Sequence, residues 1–266
     1  MLPQYFGPIQ SPLFGLYTPP SSGLQGEWGV VFCYPGPHEM ARMHRAFRAL
    51  AQQLEKIGFA TFRFDYSCTG DSAGLTTDAD AQRWLLDIQF ATEEFKAISG
   101  VKNVIHVGLR LGATLLAVLA NHWPQSQQIN YILWDPVIYG QEYLNELNLL
   151  EKLRLRLSRY PLEKNRNFKK PECLGFEDSE KLTNGLTKLT LENVKMPINA
   201  KIHVVLTHKQ VSAVAFGKWI KGLSSFNTVN NLDEDLQWKT KVNLEEISLP
   251  HKSLAAIKSL CEGLRQ

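Results

Sequence analysis

The residues with the most chemical potential lie in Val104-Ile105-His106-Val107-Gly108-Leu109-Arg110-Leu111-Gly112-Ala113-Thr114-Leu115-Leu116-Ala117. A short apolar run reads as a buried strand, Gly108 and Gly112 bracket a sharp turn, and the Ala- and Leu-rich run after it reads as a buried helix. Glycines so placed let the helix pack on its strand with no side chain between. Such a turn pushes one residue out at the top of the sheet, where a Ser, Cys or Asp would attack an acyl carbon. Here the residue is Arg110. A guanidinium cannot be deprotonated near neutral pH and is no nucleophile. What it can do is fork onto a carboxylate or phosphate.

Other groups gather around that turn. The amide of Leu111 opens a helix and favours an anion. A second amide donor must come from residues 35–39, and since Pro35 and Pro37 have no N–H it is Gly36 or His38 that serves. His38 titrates near neutrality and reads as an acid or base. His251, just before the terminal helix, is the other candidate base. A buried Arg110 needs an anion, which is either internal, from Glu39 or Asp135, or a bound ligand, and Glu39 is the expected partner because it lies in the loop that lines the crevice. Arg110, Leu111, Gly36, His38, Glu39 and Asp135 are therefore expected in one crevice at the carboxyl ends of the strands. His106, inside a strand, reads as a satisfied core histidine.

The elements that must hold these groups alternate strand and helix. Residues 1–27, rich in Pro, Gly and Ser, read as a hairpin edge or a covering segment. Trp28 to Tyr34 is a strand, and Pro35-Gly36-Pro37-His38-Glu39 breaks it. Met43, Phe47, Leu50, Leu54 and Ile57 recur at helical spacing up to Gly58. Strands at Phe59 to Phe64 and Ile129 to Trp134 flank a helix over Ala79 to Ile98 and the Arg110 turn. The order predicts a doubly wound, mostly parallel sheet. A leucine-rich helix over Glu142 to Leu157 and short helices and loops over 160–195 then interrupt the pattern. The sheet resumes at Lys201 to Thr207, with a helix over Val211 to Leu223, a strand from Phe226 to Asn231 and a terminal helix from Lys252 to Leu264. The expected division is 1–140 and 198–266 for the two parts of the core, with 141–197 a helical cap inserted after the sixth strand.

Bulk properties narrow the classes. A chain of 266 residues with 44% hydrophobic and 21% charged residues builds a full core. The net charge of +3 is too small to imply nucleic acid. No apolar run approaches the ~18 residues needed to span a bilayer, and the first residues lack the basic and apolar regions of a secretory signal. Cys33, Cys68, Cys173 and Cys261 form no CxxC pair, so no metal and no cofactor is expected and a reduced cytoplasm is the default. Lys152, Arg154, Arg156, Arg159, Lys164, Arg166, Lys169 and Lys170 make a basic face, solvated or turned to an acidic carrier protein.

The runs His44-Arg45-Ala46-Phe47-Arg48-Ala49-Leu50-Ala51, Arg63-Phe64-Asp65-Tyr66 and Thr69-Gly70-Asp71-Ser72-Ala73-Gly74 resemble the front half of an α/β-hydrolase. Gly108-Leu109-Arg110-Leu111-Gly112-Ala113 with Leu133-Trp134-Asp135-Pro136-Val137 resembles the hydrolase-like proteins associated with exosortase systems, and relatives encoded beside secondary-metabolite genes. The resemblance covers about residues 28 to 160. It implies the α/β-hydrolase fold, and it implies hydrolysis only by name, because Arg in the nucleophile elbow looks like a feature of the group. A Ser-His-acid triad finds poor places here. The position after the seventh strand reads Thr207-His208-Lys209-Gln210, without a carboxylate, which leaves Asp135 as substitute. The position after the last strand reads Asn230-Asn231-Leu232-Asp233-Glu234-Asp235, without a histidine. Ser67 and Ser72 read as turn formers.

Two functions follow. One is an enzyme acting on an acyl, ester or thioester substrate without a serine nucleophile, with Arg110 and the amides binding the acyl or carboxylate group and His38 or His251 as base. The other is a catalytically inactive pseudo-hydrolase that binds a ligand or serves as a scaffold. An Arg110 sealed by an internal carboxylate favours the second, and an exposed Arg110 at the base of an apolar cleft favours the first.

Overall fold

The computed structural model describes residues 1–21, 26–120, 130–157, 172–192, 194, 200–207, 213–222, 228–234, 236 and 249–265. The strands are β1 (Leu2–Phe6), β2 (Leu13–Thr18), β3 (Trp28–Cys33), β4 (Ala60–Phe64), β5 (Asn103–Leu109), β6 (Asn130–Trp134), β7 (Glu172–Cys173), β8 (Phe176–Glu177), β9 (Lys201–Leu206) and β10 (Thr228–Asn231). The helices are α1 (Pro37–Lys56), α2 (Ala81–Ser99), α3 (Leu111–Ala120), α4 (Gly140–Leu157), α5 (Glu180–Lys188), α6 (Ala213–Lys221) and α7 (His251–Arg265). Eight strands form one sheet in the order β1-β2-β4-β3-β5-β6-β9-β10. From β4 to β10 every pair is parallel, and the hairpin β1–β2 joins β4 antiparallel. The expected hairpin edge and doubly wound sheet are thus present.

The central strands explain themselves. Helices lie on both faces of β3, β5 and β6, so their side chains are apolar and buried with little alternation. The helix ends are set by local chemistry. The Asp80 carboxylate accepts the Gln82 amide at 2.9 Å and starts α2, and Gly100, at φ 69°, ends it. One expectation needs correction. Residues 35–39 are not all loop, because α1 begins at Pro37, a turn and a half before Met43. Proline suits the first helical position, where its missing N–H would have found no partner anyway.

Between β6 and β9 the chain leaves the sheet for α4, the β7–β8 hairpin and α5, and it is tied at both ends. The Gly140 amide donates to Leu189 and the Leu191 amide to Ile138, at 2.8 and 2.9 Å. The Ser179 hydroxyl accepts the Leu182 amide to cap α5 and donates to the Ala79 carbonyl. On α4 the inward face carries Tyr143 and Leu150, with Leu144 and Leu147 half-buried against the core. Arg154 is not a free member of a basic face. Its Nε and Nη2 both bond Glu151 at 2.7 Å, and Glu151 also accepts the Leu174 amide. Residues 158–171, with Arg159, Lys164, Arg166, Lys169 and Lys170, lie outside the described residues.

The carboxyl ends of β3, β5, β6 and β9 place the next residues on one edge of the sheet: Pro35-Gly36 into α1, Arg110, Asp135 and Thr207. Two glycines let β5 and α3 approach that edge. A Cβ on Gly108 would sit 2.7 Å from the Ala113 backbone, and one on Gly112 would collide with the carbonyl oxygens of Cys33 and Tyr34. Those carbonyls end a central strand and cannot swing aside. Gly112→Ala is therefore expected to destabilise the protein by about 3 kcal/mol or more, read from urea unfolding. A loss of under about 1 kcal/mol would mean that the helix slides to accept the methyl.

Candidate functional site

Arg110 is the single residue between β5 and α3, and its φ of 51° is left-handed. A non-glycine residue rarely adopts this conformation, which is strained and often found where function requires it. Two backbone bonds hold the turn. The Arg110 amide donates to the Trp134 carbonyl at 2.8 Å, and its carbonyl accepts the Thr114 amide at 3.1 Å. The side chain is 3% exposed.

The guanidinium is answered from two elements. Its Nε donates to Glu39 Oε1 at 3.0 Å, and its Nη2 donates to Glu146 Oε2. Of the two partners visible in the sequence, Glu39 is the one on Nε. It belongs to the first turn of α1, where a carboxylate also meets the positive end of the helix. Its second oxygen accepts the Tyr143 hydroxyl at 3.0 Å. Tyr143 and Glu146 are three residues apart and share one face of α4. The Arg110 guanidinium lies over the Tyr143 ring at 5.6 Å. A Cβ on Gly36 would collide with the Tyr143 hydroxyl, so Gly36 leaves room for the tyrosine. Burial alone would depress the Arg110 pKa, but Glu39 and Glu146 outweigh it and hold the guanidinium above its ordinary value. Burial, reinforced by Glu39, pushes the Tyr143 hydroxyl well up, so it remains a donor.

The remaining expected site residues are His38, Leu111, Asp135 and His251. His38 follows Pro37 on α1, half-buried, with its ring 6.3 Å from that of Tyr143. Burial lowers its pKa below the ordinary value, partly opposed by Glu39, so the ring is neutral near pH 7. Leu111 is buried as the first residue of α3. Asp135, also left-handed at φ 45°, directs its carboxylate to Thr207, accepting the amide at 2.8 Å and the hydroxyl as well. It ties the end of β6 to the end of β9. His251 is exposed at the start of α7, and among the described residues no hydrogen bond or ring contact joins it to Arg110 or Glu39. The loop after β10 has another task. Glu234 accepts the Lys252 and Ser253 amides at 3.0 and 2.9 Å and so caps α7. His208, Lys209, Gln210 and Asp235 lie outside the described residues.

Tyr143, Glu146 and Thr207 were not picked out by sequence reasoning. A weak signal existed for Glu146, a carboxylate one turn on from a large aromatic at the start of a leucine-rich helix. Ser72 bonds the turn, donating to the Asp65 carbonyl and accepting the Phe14 amide at 2.6 and 2.9 Å. Buried His106 meets Thr92 Oγ1 through Nε2 at 2.9 Å. Among the described residues no group of three or more His, Cys, Asp or Glu is placed to hold a metal, and no helix is long and apolar enough to cross a membrane.

Two predictions follow from this packing. Arg110→Ala strands buried carboxylates and should lower stability by about 3–5 kcal/mol. Combined with Glu39→Gln, the loss should fall short of the sum of the single changes by about 1 kcal/mol or more, and strict additivity in thermal melts would refute the pair. His106 gives the acid limb. Burial lowers its pKa to about 3, while in the unfolded chain the imidazole titrates near its ordinary value of 6.5. The unfolded state therefore takes up the proton first, and stability is lost as pH falls from 6.5 towards 3, by about 1.4 kcal/mol per pH unit at most. His106→Gln should flatten that slope, and an unchanged slope in urea melts across this range would refute the assignment.

No protein-family profile matches the chain, and no curated protein matches it in sequence. Solved structures do match in shape. Est1E from Butyrivibrio proteoclasticus, with ferulic acid bound, superposes with a TM-score of 0.66 at 16% identity, covering 97% of each chain. The proline iminopeptidase of Mycobacterium smegmatis superposes at 0.65 and 11% identity, over 99% of both chains. Mouse alpha/beta hydrolase domain-containing protein 10 superposes at 0.64 and 15% identity, over 99% of this chain and 100% of the other. Together with the strand order, these likenesses give this chain the α/β-hydrolase fold.

Proposed function

We propose that this chain is a non-catalytic member of the α/β-hydrolase fold, a pseudo-hydrolase that acts by binding or scaffolding. In this reading the β5–α3 turn is a nucleophile elbow that has lost its nucleophile and become an anchor. Residues 141–197 are the helical cap that it holds down. The observation that carries the reading is the closure of Arg110 by Glu39 and Glu146, one carboxylate from the core helix α1 and the other from α4 of the cap. A guanidinium so engaged supplies no attacking atom and offers little to a substrate. Two neighbouring positions point the same way, since Asp135 is engaged with Thr207 and Glu234 with the start of α7.

A second reading keeps catalysis on an acyl, ester or thioester substrate, with the Leu111 and Gly36 amides and Arg110 binding the acyl group. One observation favours it: His38, beside Tyr143 and neutral near pH 7, is in the protonation state a general base requires. Two measurements separate the readings. The wild-type protein should take no covalent label from a fluorophosphonate probe and should not turn over p-nitrophenyl esters above background. Arg110→Ser, which places a hydroxyl in the turn without a base to activate it, should gain little esterase activity. Labelling of any serine in the wild type, or robust turnover by Arg110→Ser, would overturn the non-catalytic reading.

A further inference from the structure

The first charged residue of the chain is Glu27. Residues 1–26 hold no Asp, Glu, Lys, Arg or His, in a chain that is 21% charged. This stretch builds the β1–β2 hairpin at one edge of the main sheet, and among the described residues β1 has a neighbouring strand on one side only. Edge strands are ordinarily guarded by charge, because their open main chain invites another strand. Here Met1, Leu2, Tyr5 and Ile9 are instead 58%, 56%, 64% and 97% exposed. Large apolar side chains gathered on an uncharged edge mark a contact surface.

Main-chain directions tell which groups are open. Tyr5 stands opposite Phe14 in the hairpin. The Phe14 carbonyl accepts the Asp65 amide at 2.9 Å, and the Phe14 amide donates to the Ser72 hydroxyl oxygen at 2.9 Å. Both Phe14 groups therefore face β4 and the loop after it. In an antiparallel ladder, opposite residues either exchange both bonds or turn both groups away, so the N–H and C=O of Tyr5 point out of the sheet edge. Pro3, two residues earlier, has the same phase. Its carbonyl also points out, and its ring supplies no N–H.

Two copies of such an edge can pair antiparallel about a two-fold axis at Tyr5. The Tyr5 amide of each copy then meets the Tyr5 carbonyl of the other, and Pro3 of each stands opposite Gly7 of the other. The missing Pro3 N–H keeps the ladder to this short stretch. A two-fold contact brings like residues together near its axis, where charges would repel. An edge without charge meets itself with no such penalty. The same axis brings Ile9, in the turn after β1, toward Met1 of the other copy.

We propose that the β1 edge is a homodimer interface, in which the β1 strands of two copies of this chain pair antiparallel about Tyr5 and join their sheets into one. The pairing is closed, since it uses this edge in both copies. β2, β4 and β3 separate it from β5, so it stands whether or not the β5–α3 turn is catalytic.

The test is sedimentation equilibrium of the full chain across micromolar concentrations. The wild type should show a reversible monomer–dimer equilibrium. Tyr5→Lys sets two ammonium groups together at the axis. Tyr5→Pro removes the outward N–H and leaves the hairpin bonds of Leu2, Gln4 and Phe6 in place. Each change should weaken dimerisation at least tenfold. The Tm of dilute Tyr5→Lys should stay near that of dilute wild type, which separates lost pairing from lost folding. Tyr5→Cys should form an intermolecular disulfide on mild oxidation beyond any in the wild type, because facing Cα atoms in such a pair lie about 5.5 Å apart, within disulfide reach. A wild type that stays monomeric throughout would overturn the interface, and its sedimentation with phosphatidylcholine vesicles would then assign the apolar edge to a lipid surface. A dimer that keeps wild-type affinity in Tyr5→Lys would place the contact elsewhere and overturn the proposal equally.

Discussion

The site depends on one buried cation. Arg110 stands at the end of the central strand, 3% exposed, where water cannot solvate its charge. A group so placed persists only if other groups bring it charge and hydrogen bonds. That requirement recruits Glu39 from α1 and Glu146 from α4, and through Glu39 it also recruits the Tyr143 hydroxyl. Two helices far apart in sequence are thereby fixed to one turn. Remove the guanidinium and two carboxylates are left facing each other around an empty centre.

The same economy recurs along the carboxyl edge of the sheet. Asp135 at the end of β6 binds Thr207 at the end of β9, and Glu234 after β10 binds the first amides of α7. In each case a polar group near a loop is satisfied within the protein, by backbone amides or a neighbouring side chain. Arg110 and Asp135 both occupy left-handed backbone, which surrounding bonds must hold in place. The Arg110 amide on Trp134 and the Asp135 amide on Val205 do this, linking β5 to β6 and β6 to β9 just beyond the ladders. Strain at the two turns and stability of the sheet are thus parts of one arrangement.

The segment between β6 and β9 belongs to the same body by two kinds of force. Apolar packing places Tyr143, Leu144 and Leu147 of α4 against the core, and α5 rests against α4 and α2. Directional bonds then set its register, with Gly140 on Leu189 and Ser179 on Ala79. Apolar contact alone would let α4 slide. The Tyr143–Glu39 and Glu146–Arg110 bonds select one position, because each needs its partner within hydrogen-bond reach.

Much of this was legible in the chain itself. The apolar runs at Trp28 to Tyr34 and Val104 to Leu109, the glycines at 108 and 112, and the helical spacing from Met43 to Ile57 specify strands, turn and helices locally. Their alternation specifies a doubly wound sheet. That Arg110 cannot attack an acyl carbon follows from its side chain alone, and that it needs an anion follows from the burial expected of its position. The sequence narrowed the internal partners to Glu39 and Asp135 and pointed to Glu39, whose loop lines the crevice. It missed Glu146. These were decided by tertiary structure, because the partner of a buried charge is whichever group the packing of distant elements brings within about 3 Å. Only the fold places α4 over the β5–α3 turn and directs Asp135 to Thr207.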